Sequence, residues 1–182
     1  MSEVQEVQIQ GRCEAFLGKM YEALVKELKA RTVNAHADNI VGGYTIAAED
    51  GDVVVSLTCL DAPNPPFYAE ATIVAFKFLD VFTISEEADD PMLAMQELKM
   101  KAVDTIIEYA NTLLDLTKAM ATMAKSKGHV ASLAALRANQ VYTWRVLIDL
   151  QNLARLLGLF DVMGRLDKLM DELAKVDDML LH

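Results

Sequence analysis

The chain has 182 residues and a net charge of −10, with 53% hydrophobic and 24% charged residues. A chain of this length and composition can bury a hydrophobic core, and it fits one domain or one domain with a helical extension. The acidic excess argues against a surface for nucleic acid or an anionic membrane, because both require clustered cations. Only two cysteines occur, so a disulfide-stapled fold is not expected, and Cys13 and Cys59 are predicted to be reduced.

The first residues of the chain are polar and lack the basic end and apolar run of a secretory signal. The longest apolar stretch, residues 71–84, is interrupted by Lys77 and Asp80 and is shorter than a spanning helix. These features predict a cytoplasmic protein that does not bind membranes.

Turn and strand patterns predict a helix and a small antiparallel sheet in the first half of the chain. The helix runs from about Arg12 to Arg31. Residues 44–60 form a predicted hairpin with a two-residue turn at Asp50-Gly51, which pairs Ile46 with Val55. Residues 69–84 are predicted as a third strand, although apolar residues on both faces leave a buried helix as the alternative.

Three long helices are predicted in the second half, from Pro91 to Lys127, from His129 to Leu157 and from Leu159 to Leu181. Apolar residues recur every three or four positions along the first and third of these helices, which predicts that they face the core. Leu116, Met123 and Phe160 belong to this set. The second helix is apolar around most of its circumference, which is typical of a central helix or an oligomer interface. The predicted fold is α+β, an N-terminal helix plus a small antiparallel β-sheet followed by three long antiparallel C-terminal helices.

The charge is distributed unevenly along the chain. Residues 1–91 carry 6 basic and 16 acidic side chains, whereas residues 92–182 carry 11 of each. The sequence therefore predicts an acidic region of helix and sheet, 1–91, and a neutral three-helix region, 92–182, packed into one compact unit.

Motifs for metal binding, nucleophilic catalysis and phosphate binding are not found in the sequence. It has no Cys-x-x-Cys, no helical Glu-x-x-His and no Gly-x-Ser-x-Gly. We therefore predict no catalytic residue, no metal ligand and no cofactor, with an active site assembled only in three dimensions as the open alternative.

Two sets of residues are candidates for contact with a partner or ligand. Carboxylates at the hairpin turn and before Pro91 form a candidate surface for a basic protein partner: Glu86, Glu87, Asp89, Asp90, Asp50 and Asp52. Side chains of the helical half form a candidate pocket or interface: Tyr109, Tyr142, Trp144 and Arg145.

Together these features favour a non-enzymatic protein-interaction or assembly protein, such as an assembly factor, a chaperone-like protein or an oligomeric phage or bacterial structural component. We expect a homo-oligomer, most simply a dimer, formed through the C-terminal helices. In size and in the order helix, hairpin, third strand and helix, the chain is similar to class I secretion chaperones. It shares no motif with them, and its long three-helix half departs from their layout. The alternatives are a small-molecule-binding or enzymatic α+β domain with a pocket between sheet and helices, and an acidic mimic of nucleic acid.

Overall fold

The computed structural model describes residues 3–28, 36–40, 42–62, 64–75, 79–128 and 130–181. It has an N-terminal helix, an antiparallel sheet and three long helices after the sheet, which confirms the predicted α+β class. The chain divides into two compact units, Met1–Ala102 with Arg155–Gly158, and Val103–Ala154 with Leu159–His182. We call them unit 1 and unit 2.

The helices are α1 (Glu3–Glu27), α2 (Pro91–Lys127), α3 (Val130–Leu156), α4 (Phe160–Ala174) and the short α5 (Asp178–Leu181). A 3₁₀ helix, Lys175–Asp177, joins α4 to α5. The strands are β1 (His36–Ile40), β2 (Gly43–Asp50), β3 (Val53–Leu60), β4 (Phe67–Ala75) and β5 (Leu79–Ala88). They lie in chain order, each antiparallel to its neighbour. Within the described ranges, no helix has the length and apolarity needed to cross a membrane.

The sheet has five strands where the sequence predicts three. The segment predicted as one strand, 69–84, lies in two antiparallel strands, β4 and β5, and residues 76–78 between them lie outside the described residues. The additional strand β1 has the sequence His-Ala-Asp-Asn-Ile, which lacks the alternation of apolar and polar residues by which strands are recognised.

The hairpin of β2 and β3 is confirmed, but its register differs from the predicted one. Its loop is Gly51-Asp52, so Asp50 pairs with Val53 and Ile46 pairs with Leu57 rather than Val55. Gly51 occupies the first loop position with a φ of +63°, where two-residue hairpin turns require a positive φ. Because the pairing moves by two residues, the predicted faces are unchanged, and Ile46 and Leu57 are both buried.

Helix α1 packs on β2 and β3 in unit 1. Cys13 of α1 and Cys59 of β3 form a disulfide, with 5.6 Å between their Cα atoms, and Phe16 meets the Phe67 ring edge-on at 5.3 Å. The prediction that both cysteines are reduced is therefore wrong for this structure. The two residues are 46 positions apart, and only the packing of α1 over β3 brings them together.

A buried polar cluster joins α2 to α3 in unit 2. The Thr117 hydroxyl lies 2.9 Å from the Leu113 carbonyl oxygen, 2.6 Å from Asn139 Oδ1 and 3.2 Å from the Thr143 hydroxyl. Both threonines are fully buried. Because a buried polar group is costly without a partner, this cluster specifies how the two helices align.

Three apolar side chains predicted to face the core are exposed, namely Leu116 and Met123 of α2 and Phe160 of α4. On α2 the buried positions after Leu113 are Leu114, Thr117, Ala121 and Ala124. The predicted stripe drifts off the buried side because a straight helix has 3.6 residues per turn, so a heptad repeat rotates around it.

Candidate interaction surface

The outer side of helix α3 is apolar. Between residues 130 and 154 this helix has eleven exposed residues, of which nine are apolar and two are arginines. The large ones recur at spacings that place them along one line of the helix: Val130, Leu133, Val141, Trp144 and Ile148. We call these five residues the α3 stripe. Val141 is 72% exposed and Trp144 is 42% exposed.

A groove opens beside the α3 stripe, between α3 and the end of α4, with a volume of about 370 Å³. Helix α3 contributes Arg137, Gln140, Val141 and Trp144, and the end of α4 with the 3₁₀ helix contributes Leu173, Ala174 and Asp177. We call it the α3–α4 groove. Its lining is mainly apolar, and polar side chains from α3 and the 3₁₀ helix complete it.

The polar side chains of the groove bond to one another. Asp177 accepts hydrogen bonds from Arg137 and from Gln140 Nε2, the latter over 3.0 Å, and Arg137 also donates to Gln140 Oε1 over 2.8 Å. The hydrogen bond from Gln140, followed by that from Arg137, lowers the pKa of Asp177 below its ordinary value. The carboxylate is therefore stabilised in its charged form, and the cluster anchors the 3₁₀ helix to α3.

The four residues of the predicted pocket or interface are divided between two places. Trp144 lines the α3–α4 groove, whereas Tyr109 and Tyr142 are joined by a side-chain hydrogen bond between α2 and α3. Burial raises the pKa of Tyr109 to about 12, with smaller contributions from the charge and hydrogen bond of Tyr142. Arg145 is exposed on α3 and has interactions of its own.

The acidic residues predicted as one partner surface lie at opposite ends of the sheet. Asp50 ends β2 and Asp52 is the second residue of the β2–β3 loop, next to Val53, which pairs with Ile73. At the other end, Cys59 pairs with Phe67, which pairs with Ala88, next to Glu86 and Glu87. Six residues of strand, about 20 Å, separate the two ends, so the structure does not bring these carboxylates together.

Several of these carboxylates already have partners within unit 1. Arg155 donates to Asp50 Oδ2 over 3.2 Å, and Lys101 pairs with Glu86 over 3.2 Å. Asp90 Oδ2 accepts a hydrogen bond from the Leu93 backbone N–H over 3.1 Å, as an N-cap residue does. Glu87 and Asp89 are exposed.

Sequence reasoning missed Gln140, Leu173, Ala174 and Asp177 as members of one site. Gln140 and Asp177 are 37 positions apart and lie on different helical elements, so no local pattern connects them. In the part of the chain that the structure describes, no group of three or more His, Cys, Asp or Glu side chains is arranged to hold a metal ion.

The comparisons with known proteins identify no relative of this chain. Because fold alone does not define function, the functional argument rests on the α3 stripe and the α3–α4 groove. No protein-family model matches the chain, and neither a curated protein nor a solved structure matches it significantly.

Proposed function

We propose that this chain is a non-enzymatic protein-interaction or assembly protein, and that it works as a homodimer through the helices of unit 2. The observation that carries the proposal is the α3 stripe, a line of large apolar side chains exposed along a helix that has no exposed carboxylate between residues 130 and 154. Large apolar side chains clustered on one exposed face of a helix, here with Arg137 between Leu133 and Val141, are typical of a surface that binds another protein.

The energetics favour covering this surface. Full burial of one Val, Leu or Ile side chain contributes about 1.5–3 kcal/mol, so several half-exposed members of the α3 stripe together offer a substantial driving force. Depletion of charge with enrichment of apolar and aromatic residues is the composition of homodimer interface centres. Trp144 is the residue type that most often dominates binding energy at such centres.

The small-molecule alternative has one observation in its favour, the volume of the α3–α4 groove. About 370 Å³ lies within the usual range of about 300–1,000 Å³ for ligand pockets. However, Arg137, Gln140 and Asp177 already bond to one another, which leaves fewer of their polar groups for a ligand. A rise in melting temperature with a compound from a metabolite panel would favour this alternative over the proposal.

The acidic residues suggest two other functions, binding of a basic protein and mimicry of nucleic acid, and neither is part of the proposal. Both need a concentrated field of negative charge. The carboxylates are divided between two ends of the sheet, and Asp50 and Glu86 are each paired with a basic side chain.

The proposal retains the cytoplasmic location predicted from the sequence, for which the Cys13–Cys59 pair is the critical test. Thiols of cytoplasmic proteins are generally kept reduced, whereas disulfides persist in oxidising compartments. Native cells quenched in acid and alkylated should yield a chain modified at both cysteines. Recovery of the chain only in its bonded form would place it in an oxidising compartment instead.

Light scattering on the purified chain tests the dimer directly. We expect a mass of twice 20.1 kDa at micromolar concentration. Val141→Asp should yield monomers, because it places a charge in the α3 stripe at a side chain that is 72% exposed and so contributes little to packing within the chain. Val25→Asp is the matched control, since Val25 is also more than half exposed but lies on α1, and this variant should remain dimeric.

A monomeric wild-type chain at these concentrations would contradict the proposal. A Val141→Asp variant that dimerises as well as the wild type would equally contradict it, because the interface would then lie elsewhere. Circular dichroism of both variants verifies that each remains folded.

A further inference from the structure

The Cys13–Cys59 disulfide joins the sheet to a part of α1 that is otherwise poorly buried. Between residues 12 and 19, Cys13 is the only buried residue. Further along the helix, buried residues recur at helical spacing: Met20, Ala23, Leu24 and Leu28. We call residues 3–17 the N-terminal arm and residues 20–28 the anchored segment.

The anchored segment is held by contacts that do not need the disulfide. Met20 and Leu24 have no exposed surface. Glu27 pairs with Lys99 of α2 over 3.1 Å, and both of these side chains are largely shielded from water. Breaking the disulfide leaves all of these contacts in place.

The described side chains of the arm, those of residues 12–17, have weaker contacts once the disulfide is set aside. Phe16 and Leu17 are half-buried. Phe16 meets the Phe67 ring edge-on at 5.3 Å, and the Lys19 ammonium lies over its face, 5.4 Å from the ring centre. The covalent bond at Cys13 is therefore the main attachment of this part of the arm to the sheet.

Gly18 lies between the arm and the anchored segment. A Cβ atom at this position would meet no atom within 4 Å, so packing within the chain does not require a glycine there. Glycine in a helix interior is less favourable than alanine, because its backbone has more conformations to lose. The helix is therefore weakened just before its buried residues begin.

On the other side of the disulfide, Cys59 is fixed in the sheet. It pairs with Tyr44 of β2 on one side and with Phe67 of β4 on the other, and it has no exposed surface. Movement at the disulfide must therefore come from α1. Departure of the arm would uncover Cys59 and the part of the Phe67 ring that Phe16 contacts.

From this arrangement we propose that the Cys13–Cys59 disulfide is a redox latch, whose reduction releases the N-terminal arm from the sheet at Gly18. A dithiol supplies the two electrons and two protons. The bond between Cys13 and Cys59 breaks, each sulfur becomes a thiol, and the dithiol forms its own disulfide. The reverse exchange closes the latch. Disulfides of cytoplasmic proteins are usually transient and redox-sensing, which fits the location retained above.

Hydrogen exchange of the purified full-length chain, with and without dithiothreitol, tests the latch. Residues 12–17 should be protected more than a hundredfold in the oxidised chain and less than tenfold in the reduced chain, because an unpacked helix of this length is marginal in water. Residues 21–27 should stay protected more than a hundredfold in both. Persistent protection of residues 12–17 after reduction would overturn the latch. Loss of protection in both segments would also overturn it, since unit 1 would then loosen as a whole.

Variants identify the bond and the hinge. The Cys13→Ala, Cys59→Ala double variant should show the reduced pattern with or without dithiothreitol. In the reduced chain, Gly18→Ala should raise the protection of residues 12–17 about fivefold, and unchanged protection would overturn the hinge at Gly18. Gly164→Ala on α4 is the matched control, because its Cβ also meets no atom within 4 Å, and it should leave α1 unchanged.

The latch is independent of the proposed dimer, because the disulfide lies in unit 1 and the α3 stripe lies in unit 2. A chain that is monomeric by light scattering overturns the proposed function and leaves the latch standing. A dimeric chain whose arm stays protected after reduction does the reverse.

Discussion

The guanidinium of Arg137 donates a hydrogen bond to the Asp177 carboxylate and so ties helix α3 to the 3₁₀ helix that follows α4. Both side chains line the groove beside Trp144. The contact joins residues 40 positions apart and holds together the two elements from which the candidate interface is built.

The Asp177 carboxylate should make the stability of this region sensitive to acid. Its folded pKa lies below the ordinary value, through the hydrogen bonds from Gln140 and Arg137. A carboxyl group whose pKa is lower in the folded chain than in the unfolded chain stabilises the fold. This stabilisation is complete above the pKa of the unfolded state and is lost as the pH falls through the pKa of the folded state. Unfolding curves of wild type and Asp177→Asn should therefore differ at neutral pH and converge in acid, with a small difference because the pair is exposed. Asp171→Asn on α4 is the control, and a constant difference at every pH would contradict the prediction.

Tyr109 should titrate above the ordinary range of a tyrosine. Burial and its neighbour Tyr142 raise its pKa to about 12, above the ordinary value of 10.0. The folded chain binds this proton more tightly than the unfolded chain, so the associated stability is present below pH 10 and is lost as the pH rises through 12. Tyr142→Phe should lower the pKa of Tyr109 but leave it above 10, because burial is the largest cause.

Nuclear magnetic resonance of chains with ¹³C-labelled tyrosine measures each titration separately. Tyr68→Phe, in β4 of unit 1, is the control and should leave the Tyr109 titration unchanged. A Tyr109 signal with a midpoint at the ordinary value of 10.0 would show the prediction to be wrong.

Reduction of the Cys13–Cys59 disulfide should destabilise unit 1. The bond closes a loop with a sequence separation of 46, and the chain-entropy account assigns about 4 kcal/mol to a loop of this length. The melting temperature of the wild type should therefore fall when a reductant is added. A Cys13→Ala, Cys59→Ala double variant should melt low in either condition, and a wild type indifferent to reductant would contradict the prediction.

Gly43 should not tolerate a side chain. A Cβ atom at this position would lie 1.9 Å from the carbonyl oxygen of Cys59, which belongs to the backbone of the neighbouring strand and has no freedom to move aside. We expect Gly43→Ala to destabilise the chain by about 3 kcal/mol in chemical denaturation. Gly18→Ala on the exposed side of α1 is the matched control, because its Cβ meets no atom within 4 Å, and it should stabilise by about 0.5–1 kcal/mol. Equal effects of the two substitutions would refute the steric argument.

The helices and the hairpin were open to prediction because their signals are local. Pro91 begins α2 after the capping residue Asp90, and Gly128 follows its last residue with a φ of +62°. The hairpin register was missed because Asp50-Gly51 and Gly51-Asp52 both supply a two-residue turn, and only the pairing with β4 and the rest of the sheet selects one.

The candidate site was predictable only in part. The residue type of Trp144 and the apolar circumference of α3 indicate an interface helix from the sequence alone. They do not indicate which side of the helix the rest of unit 2 covers. Phe160 of α4, which the apolar spacing predicts to face inward, is likewise exposed.

By itself the sequence determined the α+β class, the β2–β3 hairpin, the three long helices and the apolar character of α3, because caps, turns and side-chain alternation act over a few neighbouring residues. Only the tertiary structure decided that Cys13 meets Cys59, that Asp177 reaches Arg137 and that the α3 stripe remains exposed. Each of these depends on how segments tens of residues apart pack together, and no local pattern records that packing.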